Sequence, residues 1–200
     1  MRKLRSTTFV SLDGVMQAPG GPEEDTSGGF TLGGWTVPFF DEHLGEVMDR
    51  FMTPPFDLLL GRRTYDIFAG FWPHASEEEG AGPLNAATKY VASRGRPELG
   101  WDRSVLLEGD VAEAVARLKQ EDGPELQVHG SGDLLQTLLR SGLVDEVQLL
   151  VFPVLLGSGR RLFTDPLPRN LQLLETSTSA SGVVVSRYGV DGEVSTGSFG

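Results

Sequence analysis

Gly130-Ser131-Gly132 stands between an apolar run and an amphipathic run, and it limits the possible folds more than any other stretch. Glu125–Val128 reads as a strand fragment. From near Asp133, the residues Leu134, Leu135, Leu138 and Leu139 recur at helical spacing. A strand that passes through small residues into a helix aims unpaired backbone N–H groups outward, and the glycines let the chain turn tightly and an anion come close. The spacing is not G-x-G-x-x-G, and no lysine follows as a phosphate loop requires. A short βα turn without any ligand has the same pattern.

The pattern recurs along the chain. Arg2–Leu12 reads as a strand with Leu4, Thr8, Val10 and Leu12 on one side, closed by the turn Asp13-Gly14. Gln17–Gly34 is rich in Gly and Pro without periodicity, a long loop suited to covering a site. Val37–Met52 reads as a helix, with Pro38 in its first turn, Asp41 and Glu42 near its start, and an apolar stripe of Phe40, Leu44, Val47, Met48 and Phe51. Thr53-Pro54-Pro55 ends it. Phe56–Leu60 is a continuous apolar run, as in a strand buried on both faces, and Gly61-Arg62-Arg63-Thr64 leads from it into a helix beginning near Thr64. Guanidinium groups beside a helix start suit a phosphate monoester, and a solvated basic turn is the alternative.

Gly70–Leu84 reads as loop, Ala86–Ser93 as a strand ending at Ser93-Arg94-Gly95, and Arg103–Leu107 as another strand. Asp110 is a natural N-cap for a helix over Val111–Gln120. Val144–Pro153 reads as a strand and Leu156–Phe163 as a turn-rich loop. Leu171–Thr178 and Val183–Val190 pair as a hairpin across Ser179–Gly182.

Alternating strands and helices predict an α/β fold, a three-layer α/β/α sandwich on a mostly parallel mixed sheet that ends in an antiparallel hairpin. One domain over 1–190 is expected, with a flexible tail at 191–200. In such sheets ligands bind beyond the carboxyl ends of the strands, so the junctions at Gly61–Thr64, Ser93–Gly95 and Gly130–Asp133 should share one edge.

Lys and Arg total 17 and Asp and Glu total 28, a net charge of −11. That balance disfavours nucleic acid and anionic membrane as partners, although Arg62-Arg63 and Arg160-Arg161 are local basic clusters. The chain has no cysteine, which excludes thiolate nucleophiles and cysteine metal sites. The three histidines, His43, His74 and His129, show no metal-ligand spacing, and His129, which leads into the key turn, reads better as a hydrogen-bonded structural residue than as the alternative, a ligand contact. No apolar run is long enough to span a bilayer, and a cytoplasmic location is the expectation.

Leu59-Leu60-Gly61-Arg62-Arg63-Thr64-Tyr65, Val91-Ala92-Ser93-Arg94, Val128-His129-Gly130-Ser131-Gly132 and the closing hairpin together resemble the dihydrofolate reductase superfamily. Phe9-Val10-Ser11-Leu12-Asp13-Gly14 and Phe152-Pro153-Val154-Leu155-Leu156-Gly157-Ser158-Gly159 resemble its branch of riboflavin-biosynthesis reductase domains and their small stand-alone relatives. The resemblance covers roughly residues 3 to 190. It implies NADPH as cofactor. The phosphates would lie on Gly61, Arg62, Arg63 and Thr64, on Ser93 and Arg94, and on the helix start at Gly130, Ser131, Gly132, Asp133 and Leu134. It implies a small heterocyclic substrate, pterin-like or a ribosylated pyrimidine, with Asp41 and Asp13 as rival polar contacts in catalysis. A nucleotide-binding protein of the same fold without efficient turnover, acting as a sensor or oligomeric scaffold, is the alternative. A homodimer is expected, with Val147–Val151 and the nearby loop as its contact.

Overall fold

The computed structural model describes residues 1–77, 80–164 and 167–199. Glu78 and Glu79, within the stretch read as loop, and Gly200 in the tail lie outside the described residues. Among the described residues, eight strands make one sheet: β1 (Leu4–Ser11), β2 (Phe56–Gly61), β3 (Lys89–Ala92), β4 (Ser104–Leu106), β5 (Glu125–His129), β6 (Glu146–Phe152), β7 (Leu171–Thr178) and β8 (Val184–Val190). Their order is β4-β3-β2-β5-β1-β6-β8-β7. The six strands from β4 to β6 run parallel, and β8 and β7 close the sheet antiparallel, as the chain pattern predicts.

Side-chain parity divides the core. Leu59, Leu126 and Val128 pack with α4 (Val111–Gln120) and α5 (Gly132–Arg140) on one face. Leu58, Leu60 and Val91 point the other way, to α2 (Arg62–Phe71) and α3 (Ala81–Ala86). Leu150 and Phe152 lie on that second face too, under α1 (Glu42–Phe51) and the loop residues Val15, Phe30 and Trp35. Apolar runs such as Phe56–Leu60 are thereby buried on both sides.

Three local expectations need correction. The helix read from Val37 begins at Glu42. Val37–Phe39 is a single 3₁₀ turn, and Phe40 is extended with φ −72° and ψ 122°. The Asp41 carboxylate accepts from the Leu44 amide (3.1 Å) and so makes Asp41 the N-cap, which leaves Phe40 outside the stripe and 47% exposed. The stretch read as loop after Gly70 contains α3. Val147–Val151, expected to offer a dimer contact, is paired with β1 on one side and β8 on the other. The rim of the sheet on this side is β7, where Leu171, Leu173 and Leu174 are exposed. Residues 191–199 form neither helix nor strand and are exposed.

Candidate functional site

The order β2-β5-β1 sets the loops that follow these strands side by side. After β2 the chain passes directly into α2, and after β5 into α5. Gly130 has φ +56° and Ser131 φ +53°, so the β5–α5 turn runs through two left-handed residues, one of them not glycine. The Ser131 hydroxyl explains why a serine is held there. It accepts from the Gly61 amide (3.0 Å) and donates to Thr64 Oγ1 (2.9 Å), across 70 and 67 residues of chain. The two junctions are one structure.

Among the four longer helices, capping marks the same place. Asp41 caps α1, and Asp110 caps α4 by accepting from the amides of Ala112 and Glu113. The cap positions of α2 and α5 are Gly61 and Ser131, and neither caps its helix with a side chain. The first N–H groups of α2 and α5, with the positive ends of both helix dipoles, are thereby left for an anion. A Cβ at Gly61 would lie 3.5 Å from Ser131 Oγ, in ordinary contact, so the two junctions pack closely against each other here. Asp133 is exposed in the first turn of α5, whereas Leu134 is buried and offers its backbone only.

The arginines diverge. Arg62 folds back on Asp66 of its own helix (2.7 Å). Arg63 reaches the long loop, where its Nη1 donates to both oxygens of Asp25 (3.2 Å each) and to Ser27 Oγ (2.6 Å). Arg160 pairs with the same Asp25 from the loop after β6 and also donates to Ser27 Oγ at 3.2 Å. Burial works to raise the Asp25 carboxyl, but Ser27, Arg63 and Arg160 outweigh it and hold it down at about 2. Gln17 supports the latch by donating to the carbonyls of Asp25 (3.0 Å) and Ser27 (2.9 Å). A cavity of about 430 Å³ lies between this loop and Ser158-Gly159-Arg160. Composition marked the loop and the Arg160-Arg161 pair, but nothing in it singled out Asp25, Ser27 or Gln17.

Ser93 and Arg94 follow β3, one strand beyond β2. The Ser93 hydroxyl accepts from the Gly95 amide (3.2 Å), and Arg94 is exposed and unpaired among the described residues. Asp13 binds the Ser11 hydroxyl (2.6 Å) and the amides of Leu156 (3.1 Å) and Gly157 (2.9 Å), bonds that hold its carboxyl down at about 2. Asp41 uses its second oxygen on the Ser181 amide (3.1 Å), and its carboxyl lies below the ordinary range, chiefly through the Leu44 amide. Both aspartates are at the carboxyl edge, each tying one loop to another. His129 is buried against Phe51 and Phe68, bonded to Gln127 Oε1 (3.1 Å), and burial pushes its pKa down to about 4. It is the structural histidine the sequence suggested.

Among the described residues, no group of three or more His, Asp or Glu is placed to hold a metal, and no helix is long and apolar enough to cross a membrane.

Comparison with known proteins agrees with this fold. Residues 2–185 match the model of the RibD C-terminal domain. The uncharacterized protein YyaP of Bacillus subtilis is 28% identical over 192 residues, 94% of each chain. A Shewanella sp. PV-4 protein assigned to riboflavin biosynthesis superposes with a TM-score of 0.66 at 21% identity, over 94% of this chain and 99% of that one. Dihydrofolate reductase from Enterococcus faecalis, solved with NADP(H) and RAB-propyl, superposes with a TM-score of 0.58 at 14% identity, over 94% and 96%. The fold is that of dihydrofolate reductase, and the chain belongs to the RibD C-terminal domain family.

Proposed function

We propose that the chain is an NADPH-dependent reductase acting on a small heterocyclic substrate, pterin-like or a ribosylated pyrimidine. One observation carries the reading: two helix starts without side-chain caps, α2 and α5, are fastened together by Ser131 with Arg63 beside them. The backbone amides of Arg62, Arg63 and Thr64 and those of Gly132, Asp133 and Leu134 would hold the diphosphate, with Gly61 and Gly130 allowing close approach. Arg63 and Arg94 would take the 2′-phosphate, and Ser93 would lie beside it. NADPH supplies the hydride when bound. The protein positions the two reactants and keeps out water.

In this reading Asp41 and Asp13 are the candidate polar contacts to substrate. Both carboxyls lie below their ordinary range, so at neutral pH each is an anion that could orient a protonated ring but has no proton to give. Because backbone amides already engage both, a second reading stands beside the first: a nucleotide-binding protein without efficient turnover. A cytoplasmic homodimer, formed through β7, belongs to either reading, and a light-scattering mass of 21.6 kDa would sink the dimer.

The test is a titration with NADPH and with NADH, read by nicotinamide fluorescence, on the native chain and on Arg62→Ala, Arg63→Ala and Arg94→Ala. Preferential NADPH binding that weakens in an arginine variant is expected. Absence of binding by either nucleotide overturns both readings. Tight binding with no oxidation of NADPH across a panel of pterins and pyrimidines favours the second.

A further inference from the structure

A second cavity, of about 200 Å³, lies under α1 on the sheet face it covers, and its walls include Arg5, Arg50, Phe51, Gln148, Glu175 and Arg187. Strand register puts several polar residues of this region in a single row. Thr7 pairs with Gln148, Gln148 with Arg187, and Arg187 with Glu175. Two atoms in that row are buried without a hydrogen-bond partner, Thr7 Oγ1 and Gln148 Nε2. Gln148 is only 8% exposed, and a buried amide donor left unmatched is costly unless something supplies an acceptor.

The charges here run against the rest of the molecule. Glu146 is held by Lys3 (3.0 Å), Arg5 (3.0 Å) and Arg187 (2.9 Å) at once. Arg5 also meets Glu125 (3.2 Å), and Arg187 meets Glu175 (3.0 Å). Arg50 approaches Glu175 at only 3.7 Å, beyond hydrogen-bond distance. Four cations, Lys3, Arg5, Arg50 and Arg187, therefore face three carboxylates, Glu125, Glu146 and Glu175, in a chain whose net charge is −11. Guanidinium groups carry five N–H donors each, so Arg5 and Arg187 keep donors beyond those their ion pairs use. Apolar side chains complete the lining, Val47 and Phe51 on α1 beside Arg50 and Val185 on β8 two residues before Arg187. The cavity volume is below the roughly 300–1,000 Å³ of drug-sized sites, which limits an occupant to about one ring.

We propose that this cavity binds a small organic acid. The carboxylate lies against Arg50 and Arg187 with the Gln148 amide donating to it, and the ring or short apolar body lies against Val47, Phe51 and Val185. Excess positive charge and an unmatched donor select an oxyanion, and the apolar side chains select an organic one. Thr7, in the same row, also pairs with His129, the last residue before the Gly130 turn, so the cavity adjoins the strand that carries the nucleotide edge. That the acid binds here does not rest on the reductase reading.

The experiment is a nuclear magnetic resonance titration of the full chain, without nucleotide, using benzoate, the uncharged benzamide and inorganic phosphate. Benzoate should bind saturably and shift the Gln148 side-chain amide and the Arg50 and Arg187 resonances, with benzamide silent. Arg50 is largely exposed, so Arg50→Ala should fold and should weaken benzoate about tenfold. Gln148→Leu should raise stability by removing the unmatched donor and should weaken benzoate as well. Equal binding of benzamide, unchanged affinity in Arg50→Ala, or benzoate shifts centred on Gly130–Gly132 would overturn the assignment. Phosphate binding as strongly as benzoate would overturn the organic part of it. Benzoate binding in a chain that binds neither NADPH nor NADH would leave this site standing and remove the reductase reading. Nucleotide binding with benzoate silent would do the reverse.

Discussion

Asp25 and Arg63 are 38 residues apart in the chain, yet Arg63 Nη1 is 3.2 Å from each oxygen of the Asp25 carboxylate. The long loop is thereby latched onto the helix start proposed to receive a phosphate, and the latch is itself an anion on an arginine. An incoming 2′-phosphate and Asp25 would compete for the same guanidinium. Replacing Asp25→Asn should therefore tighten NADPH by roughly two- to fivefold, the scale of a partly exposed ion pair. Arg63→Ala should weaken NADPH by about tenfold or more and leave NADH nearly unchanged, since only the 2′-phosphate bonds are lost. Both are read by the fluorescence titration. Weaker NADPH binding in Asp25→Asn would mean that the latch assists binding.

Ser131 performs two tasks that substitution can separate. Ser131→Gly keeps the left-handed turn and loses the hydroxyl bridge to Gly61 and Thr64. Ser131→Ala loses the bridge and keeps a Cβ at φ +53°. Each should lower stability by about 1 kcal/mol through the lost hydrogen bonds. Equal unfolding midpoints for the two in urea would show that the bridge, not the backbone, dominates. Both should weaken nucleotide binding if α2 and α5 act together.

Asp41 joins the first turn of α1 to the β7–β8 turn. Asp41→Ala should lower Tm by roughly 2–4 °C through loss of the cap. Asp41→Asn keeps an acceptor for the Leu44 amide and should recover much of that. A rise in KM in Asp41→Asn, with Tm close to native, would identify contact with substrate rather than capping alone. An unchanged KM would argue against that contact.

Two pH windows should appear in stability. Burial holds the His129 pKa at about 4 in the fold, below the ordinary value of about 6.5. Between those values the unfolded chain binds a proton that the folded chain refuses, so stability falls as pH drops from about 6.5 to 4, by up to about 3 kcal/mol. His129→Gln should flatten that slope. Asp13, Asp25 and Glu146 lie at about 2 in the fold, and their stabilisation is present above the ordinary carboxylate range and lost as pH falls from about 4 to 2. Urea midpoints from pH 7 to 2 check both. No loss between 6.5 and 4 would mean that His129 is not held neutral.

What local chemistry dictates was legible in the chain. Period-2 and period-3.6 patterns placed nearly every strand and helix, Asp110 marked its cap, and Gly61 and Gly130-Ser131-Gly132 marked the turns from strand into helix. These depend on a residue and its near neighbours, so the order of residues suffices. Even there, the start of α1 was misplaced, because the Asp41 cap and the extended Phe40 overrode an apolar periodicity that continues through them.

Only the tertiary structure decided which junctions meet. The choice of β5 as the neighbour of β2 puts Ser131 on Gly61 and turns two ordinary helix starts into one site. The same pairing of distant elements sets Asp25 on Arg63 and Arg160, divides Arg63 from Arg62, and collects Arg5, Gln148, Arg187 and Glu175 in one row under α1. Ion pairs and hydrogen bonds between segments depend on distance in space to within about an ångström. Separation along the chain says nothing about that distance until the strands have paired.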